Sequence, residues 1–136
     1  MRGLAVFLCL LLCHCASSVD RIANTGVEVI HFGSGGGFTG ETVGYTLNAN
    51  GALSKNGEPI GRLCAERTLA YFKQAKDFSQ YQFKHPGNIY NFIEITSSGT
   101  SNRIVWSANS EGIHKDIINL HKQLLLETNL IYEEDQ

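Results

Sequence analysis

Cysteine is scarce in this chain. Four occur in 136 residues, but Cys9, Cys13 and Cys15 crowd into the first stretch, and beyond it Cys64 stands alone. One thiol closes no internal disulfide, which excludes the small secreted scaffolds stapled by disulfides and leaves a hydrophobic core as the source of stability. Basic runs are missing as well. The formal charge is −2 and the lysines and arginines are scattered, so the chain is not built to hold nucleic acid. No apolar run is long enough to span a bilayer, because the longest, Leu4 to Leu12, is about half of the roughly 20 residues required. Signatures of catalysis are absent too. There is no G-x-S-x-G elbow, no H-E-x-x-H, and no "HRD" or "DFG".

What is present begins with a leader. "MRGLAVFLCLLLCHCASS" places Arg2 before the apolar stretch and small residues at Ala16 to Ser18, the pattern of a secretory signal peptide. Cleavage after Ser18 is expected, giving a secreted domain of residues 19–136 with no membrane attachment. That length is one ordinary domain, enough to bury a core.

Alternation at Val27, Val29 and His31, and again at Val43, Tyr45 and Leu47, predicts two strands joined by a glycine loop. "NANG" and "KNGE" predict tight turns around a short third strand at Ala52 to Lys55. From Ile60 to Asp77, the residues Ile60, Leu63, Cys64, Tyr71, Ala75 and Phe78 share one side of a helix, with Pro59 at its entrance. "HPGN" breaks the chain again. "IYNFIEI" and "RIVWS" read as a second hairpin, and Ile113, Ile117, Leu120 and Leu124 mark an amphipathic helix from Ile113 to Leu126, before a solvated "EEDQ" tail. The expected fold is α+β: an antiparallel sheet of four or five strands with two helices packed on one face, in the order β-β-(β)-α-β-β-α.

"GSGGGFTGETV", Gly33 to Val43, satisfies G-x-G-x-x-G through Gly35, Gly37 and Gly40. A dinucleotide cradle needs a helix after the glycines, so that its N-terminus faces the pyrophosphate, and here a strand follows. A P-loop ends in Gly-Lys-Ser or Gly-Lys-Thr, whereas this stretch runs Gly40-Glu41-Thr42, with an acid that repels phosphate. Two readings remain. The glycines supply the positive φ of a hairpin loop, or they frame Phe38 as an anchor displayed to a partner, with Ser34, Gly36, Gly37, Thr39 and Gly40 around it.

The other chemistry-bearing residues point nowhere in particular. His31, His85, His114 and His121 lack metal-ligand spacing, and Asp20, Glu28 and Glu41 have no carboxylate partner that the sequence fixes. Glu94 is expected to face outward from its strand. Cys64 is expected to be a small buried core residue, with pairing between chains as the alternative. No cofactor and no metal is expected. A non-enzymatic domain binding an extracellular protein is the leading class. A module binding a small ligand or glycan, stacking on Trp106, Tyr90 and Tyr45, is the alternative. A hydrolase is the third class, and it would need convergent polar residues in a deep pocket.

The run of "SGGGFTG", a helix, "NIYNFIEI", "RIVWS" and "GIHKDIINLHKQLL" resembles the emfourin-like proteins, small inhibitors of thermolysin-like metalloproteases that share a Gly-Gly-Phe-x-Gly loop. The resemblance covers Val27 to Leu126 and is closest at Gly36-Gly37-Phe38-Thr39-Gly40. It implies a protease inhibitor acting through the glycine-rich loop on a metalloprotease. The chain departs from that pattern in its longer "NANGALSKNGEP" region, its leader and its helical cysteine.

Overall fold

Ile30 and Phe32 are fully buried while His31 between them is half-exposed, the period of two that a strand with one covered face requires. The computed structural model describes residues 19–134, so the leader and the last two residues of the tail lie outside the described residues. Its elements are a short helical stretch α1 (19–23), β1 (Val27–Gly36), β2 (Thr42–Asn48), β3 (Ala52–Lys55), β4 (Glu58–Arg62), α2 (Ala65–Asp77), β5 (Lys84–His85), β6 (Ile89–Ser97), β7 (Thr100–Trp106) and α3 (Lys115–Glu134). The strands form one sheet in the order β4-β3-β2-β1-β6-β7-β5. All neighbours are antiparallel except β5 and β7, which are parallel.

The fold is thus α+β, but the sheet has seven strands and is mixed, where four or five antiparallel strands were expected. Two strands account for the difference. "EPIGR" resembles a helix entrance because Pro59 suits a first helical turn. It is instead the edge strand β4, where a missing backbone donor is tolerated, and α2 begins only at Ala65. Strand β5 has two residues and pairs Lys84 with Val105 and His85 with Trp106, too short to leave a pattern in sequence.

Two turns follow directly from their residues. Asn56-Gly57 carries φ of 49° and 88° between β3 and β4, and Ser98-Gly99 carries 51° and 73° between β6 and β7. Positive φ at both central positions is the two-residue turn that matches strand twist. The second hairpin is accordingly tighter than "TSSGTSN" suggests.

Cross-strand pairing aligns Ile30 with Leu47 and Ile95, and Phe32 with Tyr45 and Ile93, so one face of the sheet carries a continuous apolar surface. Helices α2 and α3 both pack on β1 and on each other, adding Leu69, Phe72, Ala75, Ile117, Leu120 and Leu124 to a single core. Helix α3 runs well past Leu126, because Glu127 and Thr128 are buried and Ile131 packs against the core. Glu127 clamps the two helices together: its carboxylate accepts the Tyr71 hydroxyl at 2.7 Å and the Arg67 guanidinium at 2.9 Å. Burial, reinforced by that carboxylate, pushes the Tyr71 phenol far above its usual range.

Among the described residues no helix lies on the opposite face, yet Phe92 on it is fully buried. Its register partners are Gly33 and Val105. The His31 ring lies 5.2 Å away, and the Arg103 guanidinium caps the ring 4.0 Å from its centroid, held in turn by Glu94 at 3.2 Å. Glycines make the room. A methyl at Gly44 would sit 2.8 Å from the His31 ring, and one at Gly35 would sit 2.7 Å from the Tyr90 hydroxyl.

Candidate functional site

Strand β1 continues through Gly36, so most of the glycine stretch is strand, and the turn itself is residues 37–41. Ser34 is half-buried within the sheet, paired with Val43 and Asn91, and does not join the turn. Gly36 ends the strand. Gly37, Phe38, Thr39 and Gly40 form the tip.

Backbone bonds fix the shape of that tip. The Gly36 amide donates to the Glu41 carbonyl at 3.2 Å, and the Gly40 amide to the Gly37 carbonyl at 3.3 Å. A third bond comes from outside the hairpin, where the Gly37 amide donates to the Asn88 carbonyl, ahead of β6, at 2.7 Å. Gly36, Gly37 and Gly40 hold φ of 90°, 81° and 66°, which only glycine adopts without strain. A methyl at Gly36 would run into the Asn88 carbonyl. The tip is therefore braced on two sides.

Phe38 stands on this frame with a relative accessibility of 110%. Ile89, paired opposite Gly36, is 67% exposed, and Val43 is 37% exposed. Thr39 holds the returning chain by accepting the Glu41 amide on its Oγ1 at 3.4 Å. A strand rather than a helix follows the turn, so no helix N-terminus faces these glycines.

The histidines occupy four separate places. His121 is buried beside Trp106, its ring 5.1 Å away, and donates from Nε2 to the Gly33 carbonyl at 2.8 Å. Burial lowers its pKa, with that hydrogen bond opposing. His31 shares a 3.0 Å hydrogen bond with the Thr46 hydroxyl, and burial lowers its pKa while the Glu94 charge works against the shift. His85 is exposed on β5 against Phe83, and His114 accepts the Asp116 amide at the start of α3. Among the described residues no three His, Cys, Asp or Glu gather as a metal site. Glu94 points from β6 to the face opposite the core residues Ile93 and Ile95, where it is half-buried in its pair with Arg103.

Cys64 corrects the sequence reading. It is exposed, not in the core, and occupies the N-cap of α2 with φ −65° and ψ 158°. Its carbonyl accepts the Thr68 amide at 3.0 Å, but its side chain caps nothing.

Trp106, Tyr90 and Tyr45 form no common platform. Trp106 is buried, Tyr45 stacks on Phe32 on the helix side, and Tyr90 lies on the opposite face. An open cleft of about 490 Å3 is lined by His85, Ser107 and Ser110. There Ser110 donates to the His85 carbonyl, while the His85 ring packs on Phe83, so hydroxyl and imidazole are not set as nucleophile and base. Compared with known protein families, curated proteins and solved structures, the chain matches none.

Proposed function

We propose that this chain is a secreted, non-enzymatic protein-binding domain whose contact point is the β1–β2 tip, and that within this class it inhibits a thermolysin-like metalloprotease. The observation that carries the reading is the complete exposure of Phe38 on a turn braced by strands on both sides. Leaving a phenyl ring in water forgoes about 1.5 to 3 kcal/mol of burial, and no contact within the domain recovers it. A partner's pocket would. Because the backbone around Phe38 is already fixed, little ordering entropy remains to be lost on binding, and preorganised aromatic anchors are the residues that dominate interfaces. Glycines on either side of the ring let a partner's walls approach the backbone closely.

Titration of a thermolysin-like metalloprotease with wild type and Phe38→Ala tests this. The substitution should weaken inhibition by roughly 30-fold to 1000-fold. The melting temperature should stay near the parent value, since nothing in the core is removed. Equal inhibition by both proteins takes Phe38 out of the contact, and absence of inhibition by the wild type defeats the protease assignment.

A further inference from the structure

We propose that the cleft between the α1–β1 turn and the second half of α2 binds a small oxyanion ester, a sugar carrying a phosphate or sulfate group. Cations that look scattered in the sequence are gathered there by the fold. The inference stands apart from the tip reading, because β1 leaves the cleft at Val27 and reaches the turn only at Gly36, roughly 30 Å on.

The cleft, about 420 Å3, is lined by Arg21, Asn24, Thr25, Lys73, Lys76 and Asp77. Three cations against one carboxylate leave it a net charge of +2, in a chain whose formal charge is −2. Among the described residues the ion pairs are Arg67–Glu127, Arg103–Glu94 and His114–Asp116, and Arg21, Lys73 and Lys76 enter none of them. Asp77 follows Lys73 by four residues on α2, the order of base before acid in which helical pairing is the weaker. Lys76, in the last turn, also complements the helix dipole, but Lys73 and Arg21 have no such role. Like charges gathered without partners repel one another, and an anion between them relieves that repulsion.

Buried neighbours fix the frame that holds these charges. Ile22 and Thr25 are buried, and the Thr25 hydroxyl donates to the Ile22 carbonyl at 2.7 Å while accepting the Val27 amide at 3.2 Å. The Asn24 amide donates to the Asp20 carbonyl at 3.0 Å. Across the cleft Phe72 and Ala75 are buried in the core, which leaves Lys73 and Lys76 on the exposed side of α2. The rest of the lining chooses the carrier. It offers no aromatic ring on which a base could stack, while the Asn24 carboxamide and the Asp77 carboxylate suit hydroxyl groups. A bare phosphate would fill only part of the cleft, whose volume falls within the ~300 to 1,000 Å3 of small-molecule sites.

Titration of the isotope-labelled protein with glucose 6-phosphate, glucose 6-sulfate, inorganic phosphate and glucose, followed by NMR, tests the site. At least one ester should bind with a Kd of about 1 mM or below and shift the amides of residues 21–25 and 73–77, and comparing the two esters tells which oxyanion the cleft takes. Glucose should shift nothing, and added NaCl should weaken the ester by screening exposed charges. Lys73→Gln/Lys76→Gln should weaken binding about tenfold and Arg21→Gln about threefold. Lys84→Gln/Lys122→Gln removes the same charge from exposed lysines outside the cleft and should change nothing. All of these variants should melt near the parent temperature, because the altered side chains are exposed. Equal affinity for inorganic phosphate would reduce the cleft to an ion site and overturn the ester assignment. Absence of shifts in the two segments with both esters, or an equal loss in the Lys84 and Lys122 control, would overturn the site itself.

Discussion

Replacing Cys64 by serine should stabilise the domain, the opposite of what a buried thiol would give. As a core residue Cys64 would lose about 1 to 3 kcal/mol on conversion to serine, through an unpaired buried hydroxyl. At the exposed N-cap of α2 the geometry reverses the sign. Its φ of −65° and ψ of 158° are those of a capping residue, yet the thiol makes no bond to the first-turn amides. Serine is among the preferred N-caps because its oxygen accepts from the amide two or three residues on, here Glu66 or Arg67. Capping is worth about 1 kcal/mol, which in a domain of this size raises the melting temperature by about 3 to 6 °C. Cys64→Ala supplies the control, since it removes the thiol without adding an acceptor, and it should stay within about 0.5 kcal/mol of the parent. Thermal unfolding of the three proteins under reducing conditions decides the matter. A serine variant that melts below the parent would refute the capping argument and return Cys64 to the core.

Two further outcomes follow from the packing. His121 and His31 both titrate below the ordinary imidazole value when folded. The unfolded chain therefore takes up protons first, and stability should fall as pH drops below about 6.5, by up to about 1.4 kcal/mol per pH unit for each histidine until the folded pKa is passed. Denaturant melts from pH 8 to 5 measure that slope, and His121→Gln should flatten it; an unchanged slope would mean that His121 titrates normally. Phe92→Ala should cost about 3 to 5 kcal/mol although no helix among the described residues covers that face. A loss below about 1 kcal/mol would show that the His31, Arg103 and glycine packing contributes little.

The parts of the fold that were legible in sequence are those whose signal is local. The existence of strand β1, the Asn56-Gly57 turn and the stripe Ile117, Leu120 and Leu124 are each encoded within a few residues. The alternation at Val27, Val29 and His31 nonetheless picked the wrong face, since a register shift after Val27 leaves Val29 and His31 half-buried and puts Ile30 and Phe32 in the core. What stayed hidden depends on pairing. Strand β4 is a strand because β3 offers it an edge, and its own residues read equally well as a helix entrance. Cys64 falls on the apolar side of a helix only if that helix begins at Ile60; once α2 begins at Ala65, the thiol is a cap. Phe92 is buried through Gly33 and Gly44, a property of register that no window along β6 contains.

The candidate site divides in the same way. Phe38 between glycines was visible as a displayed ring, since residues 37–40 form one turn. Ile89 was not, because an isoleucine opening "IYNFIEI" has the composition of core, and its exposure follows only from lying opposite Gly36 at the end of β1. The glycine string itself misleads because it reads as one motif and performs three unrelated tasks. Gly35, like Gly44 on β2, leaves room for rings on the open face. Gly36 and Gly37 admit the Asn88 carbonyl, and Gly40 turns the chain with φ of 66°. Substitutions to alanine should therefore separate by mechanism. At Gly35 the alanine is opposed by Tyr90 and Thr42 and the loss falls on stability. At Gly40, where a methyl meets nothing within 4 Å, the loss is limited to the strain of positive φ, about 1 kcal/mol. A phosphate cradle would have required all of these glycines to serve a single ligand, whereas the packing sets Gly35 against Tyr90 and Thr42, Gly36 and Gly37 against Asn88, and leaves Gly40 open.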